Sequence, residues 1–139
     1  MKTYILALML VLTAVLSKKY MIKLISPMKR RPGISIEEFR EYYEKKHRVI
    51  GEKYLTGFAT KYMRRFTNSL PDHSGKVRDP EFDVILEVWY PDMETYNACI
   101  AKLREPNIAQ EIREDEAKLF DLNYKRSYFV EEFESDLQN

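Results

Sequence analysis

The chain has 139 residues, room for one domain and too few for two. Lys+Arg total 23 against Asp+Glu 22, and a net charge of +1 gives no field that would gather nucleic acid or an anionic membrane. One cysteine, Cys99, excludes an intrachain disulfide, and with only His47 and His73 beside it a Cys/His zinc site is excluded in practice as well.

The chain opens on an apolar run, Tyr4 to Leu16, behind Met1-Lys2-Thr3. The run falls short of the about 20 residues a bilayer crossing needs and reads as the core of a signal-like leader, with Val15 and Ser17 as the small residues before a cleavage point. Two rivals are a start at Met21, which makes residues 1–20 a misassigned extension, and a short membrane anchor. A leader places the protein in a secretory or endomembrane compartment, a start at Met21 in the cytoplasm, and a membrane partner enters only through residues 1–20. The domain proper is expected over 21–134, with 135–139 as a tail.

Met21–Met28 alternates as a first strand, with Pro27 marking an edge or bend. Lys29-Arg30-Arg31 is a local basic cluster at that strand's end, read as a solvated loop ahead of the turn at Pro32-Gly33. Ser35 with Glu38 three residues on forms a capping box for a helix. Ile36, Phe39, Tyr43, His47, Ile50 and Tyr54 then recur in steps of three and four on one face, with Gly51 as a candidate break. Gly57–Asn68 is expected as a second strand, with Tyr62, Arg64 and Phe66 on one face. A loop spans Ser69–Pro80. A third strand covers Phe82–Tyr90, with Asp83, Ile85, Glu87 and Trp89 pointing one way and Val84, Leu86, Val88 and Tyr90 the other. Asp92 caps a helix carrying Met93, Tyr96, Ile100 and Leu103, and Pro106 starts another whose face holds Ile108, Ile112, Asp115 and Leu119. Ser127–Phe133 is the last strand.

The order β-α-β-β-α-β, with its second helical region split at Pro106, predicts an α+β, ferredoxin-like fold: a four-stranded antiparallel sheet with helices on one face. Such a sheet leaves its other face bare, and packing against a second copy would cover it. An aromatic content of 13% could fill the core, line an organic-ligand pocket or cover that interface.

The chain resembles the EthD family, of the dimeric α+β barrel superfamily. The resemblance rests on Lys29 to Ser35, on Glu38-Phe39-Arg40-Glu41-Tyr42-Tyr43 with His47, and on Lys61-Tyr62-Met63-Arg64. It continues through Phe82-Asp83, Glu87-Val88-Trp89-Tyr90, Glu114 to Asp121 and Phe129-Val130-Glu131-Glu132. The family favours an aromatic pair before the histidine, often with Trp; here it is Tyr42-Tyr43. The resemblance implies a homodimer. Characterised relatives decarboxylate aromatic polyketides, and others in the superfamily are cyclases or cofactor-free monooxygenases.

His47 interrupts an apolar helical face, where burial disfavours its charged form and suits it to proton transfer; the alternative is a core histidine satisfied by one hydrogen bond. A cavity is expected between sheet and helices, and Glu87 is the candidate orienter of His47 if its face of the strand meets that cavity, and an ordinary acid if it does not. Tyr43 and Tyr62 are candidates to hold a phenolic or enolic oxygen, and Trp89 and Phe66 to stack on a flat ring. Asp115, on an apolar helix face, needs partners, for which Arg64 or Tyr62 are the candidates; Asp115 and Arg64 are candidates to bind substrate, and the alternative is a structural salt bridge. His73 sits in a polar loop and receives no role. Cys99 reads as a buried, inert thiol.

No nucleotide-binding fingerprint occurs, and four glycines leave little room for one. The expectation is an enzyme with no metal or organic cofactor, a lyase or cyclase acting on a small aromatic, polyketide-like acid. The rivals are a cofactor-free monooxygenase of a phenol or anthrone, a non-catalytic binder of a flat hydrophobic molecule, and a haem-linked protein with His47 as axial ligand.

Overall fold

The computed structural model describes residues 20–138, so the expected leader lies, apart from Tyr20, outside the described residues. Among the described residues no helix is long and apolar enough to cross a membrane. The elements run β1 (Ile22–Met28), α1 (Ile36–Tyr42), a π-helical turn (Tyr43–His47), α2 (Arg48–Leu55), β2 (Lys61–Phe66), β3 (Val84–Tyr90), α3 (Met93–Leu103), α4 (Pro106–Leu119), a short 3-10 turn (Leu122–Tyr124) and β4 (Tyr128–Phe129).

The four strands form one antiparallel sheet in the order β2-β3-β1-β4, the ferredoxin-like arrangement. Strand β1 pairs with β3 along its full length, from Ile22 opposite Tyr90 to Met28 opposite Val84. Because side chains alternate across a strand, this register puts Leu24, Ser26 and Met28 beside Leu86, Val88 and Tyr90 on the helix-facing side. Lys23, Ile25, Glu87 and Trp89 consequently face the other way.

All four strands are shorter than their sequence patterns suggested, β1 by Met21 and β3 by Phe82 and Asp83, and β2 and β4 by more. Gly57–Ala59 does not join β2, because the amides of Phe58 and Ala59 bond the Leu55 carbonyl at 3.0 and 2.9 Å and finish the preceding helix. Strand β4 keeps two residues at the sheet edge, although the Val130 amide still reaches the Lys23 carbonyl at 3.1 Å. The helix is not broken at Gly51, which lies within α2.

The expected caps form. Ser35 Oγ accepts from the Glu38 amide at 3.1 Å while Glu38 accepts from the Ser35 amide at 2.8 Å, and Asp92 accepts from the Thr95 amide at 2.7 Å. Arg30 is tied to buried Asp83 through its amide at 2.8 Å and its guanidinium at 3.2 Å, which fastens the end of β1 to the entry of β3.

The core is divided. One cluster joins Met28, Phe39, Tyr43, Val84, Leu119 and Phe120, with the Phe39, Tyr43 and Phe120 rings meeting edge to face. The other is built on Val88, Tyr90 and Cys99. Fully burying a side chain such as Phe39 is worth about 1.5–3 kcal/mol, so each cluster anchors its helices firmly to the sheet. Between the two the packing opens into a cavity.

Candidate functional site

The cavity has a volume of about 250 Å³, just below the usual ligand-pocket range of about 300–1,000 Å³. Its floor is the helix-facing side of β1 and β3, with Tyr62 entering from β2. Helices α2, α3 and α4 form its walls, and Lys125 and Ser127 contribute from the approach to β4. Most of its surface is apolar, so the few polar groups on it are the ones to account for.

His47 is one of them, and a local irregularity of the helix gives it Tyr42 as a neighbour on the same carboxylate. At 3.6 residues per turn, an α-helix places residues five apart about 140° from each other. Between Tyr43 and His47 the backbone instead forms a π turn, with the Arg48 amide bonding the Tyr43 carbonyl. Such turns are found at functional sites in many helices. Here the turn lets Tyr42 and His47 reach the same carboxylate. His47 Nδ1 lies 2.6 Å from Asp115 Oδ2, and the Tyr42 hydroxyl donates to Asp115 Oδ1 at 2.7 Å.

Asp115 comes from α4, whose face of Ile108, Ile112, Asp115 and Leu119 turns inward as the periodicity requires. Its side chain is 8% exposed and that of His47 12% exposed, so both bonds are shielded from water. A carboxylate accepts, so this bond calls for the proton on Nδ1, and Nε2 is then the position of the ring's lone pair in that tautomer. With Nδ1 committed to Asp115, Nε2 is the nitrogen left for the cavity that His47 lines. The ring itself is held edge-on between Tyr43 and Phe120, at centroid distances of 4.8 and 5.1 Å. Burial, followed by the adjacent Asp115, raises the Tyr42 phenol to about 12, so it remains a donor across the ordinary pH range.

The remaining residues singled out from the sequence go to different places. Tyr62 lines the cavity, and burial raises its phenol above the ordinary value. Its ring lies against the backbone of α2 at Gly51, where a Cβ would come within 2.5 Å of the hydroxyl oxygen; only glycine leaves that room. Tyr43 is wholly buried behind His47, and its hydroxyl sits beside that of Tyr62 without a well-formed hydrogen bond. It braces the imidazole and does not face the cavity. Phe66 packs into the same core cluster as a structural residue. Arg64 forms a two-bond pair with Glu44 at 2.9 Å for each bond, which also holds the Glu44 carboxyl below its usual range.

Glu87 and Trp89 correct the sequence expectation. They lie on the face of the sheet away from the helices, where Glu87 is 6% exposed and bonded to Arg65 and to the Trp89 indole. Trp89 is sandwiched between Lys23 and Lys61, each ammonium 3.9 Å from the ring centre. Strand alternation thus separates Glu87 from His47 by the thickness of the sheet, and Asp115 takes the orienting position instead. The partners expected for Asp115, Arg64 or Tyr62, are replaced by Tyr42 and His47.

Sequence reasoning missed Tyr42, Gly51, Ser26, Ser127 and the Lys125–Glu116 pair at the cavity wall. The signal for Tyr42 was its place beside Tyr43 in the aromatic pair before the histidine, but a regular helix turns it away. Ser26 was visible as a lone hydroxyl among the inward positions of β1.

Such an arrangement can move one proton. From its lone pair Nε2 can take a proton from a carbon or oxygen acid in the cavity, and Asp115 would stabilise the resulting imidazolium. The same ring can then return the proton to another position.

An EthD family protein from Bacillus halodurans is 20% identical, covers 82% of this chain and 100% of its own, and superposes with a TM-score of 0.56. An EthD-like protein from Ralstonia eutropha is 18% identical over 81% of this chain and 92% of its own, with a TM-score of 0.60. SnoaB, a cofactor-independent oxygenase from Streptomyces nogalater, is 8% identical over 86% of this chain and 98% of its own, with a TM-score of 0.50. At these identities the likenesses establish the fold. A search of curated proteins gave no match. The EthD domain model matches residues 31–123, most of the chain and the whole stretch from the turn after β1 to the end of α4, and the protein therefore belongs to the EthD domain family.

Proposed function

We propose that the protein is a cofactor-independent lyase or cyclase that moves a proton on a small aromatic, polyketide-like keto acid held in the cavity, with His47 as the proton carrier. The observation that carries this reading is the Tyr42–Asp115–His47 chain, which is buried, fixes the imidazole tautomer and leaves Nε2 at an apolar chamber.

In a cyclisation or dehydration, Nε2 takes a proton from the carbon next to a keto group and the electron pair moves onto the carbonyl oxygen as an enolate. In a decarboxylation, His47 enters as imidazolium. The bond to the carboxylate carbon breaks, carbon dioxide leaves, the pair is held as the enolate, and the imidazolium returns its proton to carbon. Lys125, which lines the cavity, is paired with Glu116, so it does not stabilise the departing carboxylate before it leaves, which suits the second route. Removing a proton from a phenol or anthrone would likewise open the oxygenase route for which SnoaB is named. The bare side of the sheet, with Ile25, Met63, Ile85 and Trp89, fits a second copy of the chain, and sedimentation equilibrium at micromolar concentration would read a dimer or refute it.

The test uses 2-tetralone, an aromatic ketone with an acidic methylene, in deuterated buffer. Proton NMR should show deuterium entering that methylene faster with protein than without, by a factor that falls about 10²–10⁴ in His47→Gln. An equal rate in both proteins removes the catalytic proposal. Oxygen uptake in the same sample would move the assignment to the oxygenase branch, and bound but unexchanged ketone would move it to a binding protein.

A further inference from the structure

The polar groups on the cavity wall are mostly committed elsewhere. The Tyr54 hydroxyl donates to Glu111, and Lys125 Nζ meets the two Glu116 oxygens at 2.6 and 2.7 Å. One pair is not fully committed. Ser26 Oγ lies 2.7 Å from Ser127 Oγ, and both residues line the cavity.

Ser26 is 3% exposed, in the middle of β1 on the inward face, between Leu24 and Met28 and opposite Leu86. An apolar side chain would serve packing better there, since a buried hydroxyl is costly without a partner. Ser127, at the more open edge, is the partner that β4 brings alongside β1. Two hydroxyls carry two protons and their mutual bond uses one. When Ser127 donates to Ser26, the Ser26 proton is free to point into the cavity at a ligand oxygen. His47 and Ser26 line the same cavity, one from the helical layer and one from the sheet, so a flat molecule beneath the imidazole has a second polar group within the same chamber.

We propose that Ser26 and Ser127 form a carbonyl-binding subsite, so that the substrate is a flat aromatic molecule with a second, uncharged oxygen remote from the reacting carbon. This deepens the reading of the cavity as a substrate chamber and rests on it. The Lys125–Glu116 pair beside the subsite leaves its surroundings close to neutral, which favours a ketone or a phenol over a second carboxylate.

The test compares two ligands of one shape, 2-acetylnaphthalene with a carbonyl and 2-ethylnaphthalene without, by equilibrium dialysis against the full chain. The wild type should favour the ketone by about three- to tenfold, the worth of one neutral hydrogen bond. Ser26→Ala should abolish that preference, because it removes the donor, whereas Ser127→Ala leaves the Ser26 hydroxyl free to donate and should keep it. Ser26→Cys, near in size and only a weak donor, decides the matter should Ser26→Ala fail to fold. A preference that survives in the Ser26 variants, or equal wild-type affinities, overturns the subsite and leaves the proton-transfer reading standing. A ketone preference without 2-tetralone exchange does the reverse. If neither probe binds, the chamber and the subsite fall together.

Discussion

Replacing Asp115 by Asn separates orientation from shape, because the side chain keeps its size and loses its charge. Asp115 Oδ2 is 2.6 Å from His47 Nδ1 and Oδ1 is 2.7 Å from the Tyr42 hydroxyl, with the side chain 8% exposed. A hydrogen bond to a charged group contributes about 1.5–3 kcal/mol against about 0.5–1.5 for a neutral one, so two bonds lose about 2 kcal/mol together. Relief of a buried carboxylate offsets part of this, and the folding free energy should fall by no more than about 1–2 kcal/mol. The rate effect is larger, since the amide neither stabilises the imidazolium nor enforces one tautomer. Loss of such an outer partner typically costs about 10–100-fold, or about 1.4–2.7 kcal/mol of barrier. Deuterium entry into 2-tetralone, followed by NMR with urea unfolding as the stability control, measures both. Glu87→Gln is the matched comparison: it neutralises an equally buried carboxylate on the opposite face of the sheet and should change the exchange rate by less than twofold. If Glu87→Gln slows exchange tenfold and Asp115→Asn does not, the assignment of the orienting carboxylate is refuted.

Tyr42→Phe keeps the ring and removes the donor to Asp115, and urea titration should show a loss of about 1–2 kcal/mol at pH 8. Its folded-state value of about 12 lies above the ordinary 10, so its contribution to stability is fully present below pH 10 and is lost as pH rises through about 12. The urea midpoint of the wild type should therefore decline over that window, and less steeply in Tyr42→Phe; parallel declines would contradict the assignment. Gly51→Ala should gain up to about 1 kcal/mol of helix propensity, yet its Cβ, within 2.5 Å of the Tyr62 hydroxyl oxygen, displaces that ring into the cavity. Binding of 2-acetylnaphthalene should then fall at least tenfold in calorimetry, and an unchanged affinity would show that Tyr62 is not a wall of the chamber.

The ferredoxin-like order and most element positions were legible because their signals are local. The Ser35–Glu38 box, the Asp92 cap, Pro106 at a helix start and the alternation of β1 and β3 each act within a few residues. The inward position of His47 and Asp115 was legible for the same reason, since helical periodicity alone assigns a face. Their pairing was not. They are separated by 68 residues in sequence, and periodicity gives a direction without a partner. Tyr42 was hidden by an assumption of regularity, because an α-helix would turn it away and only the packed protein contains the π turn that brings it round.

By itself the sequence determined what short-range physics determines: where helices start, which strand residues share a face, and that one histidine lies on an inward face with an acid on another. Tertiary structure alone decided which side of the sheet the helices cover. That choice sent Glu87 and Trp89 to the far face, gave the imidazole to Asp115, and set Ser26 against Ser127 in the chamber. The physical reason is that alternation fixes relative orientation only; the absolute sense comes from the burial of the two apolar clusters against one face, a property of the whole chain.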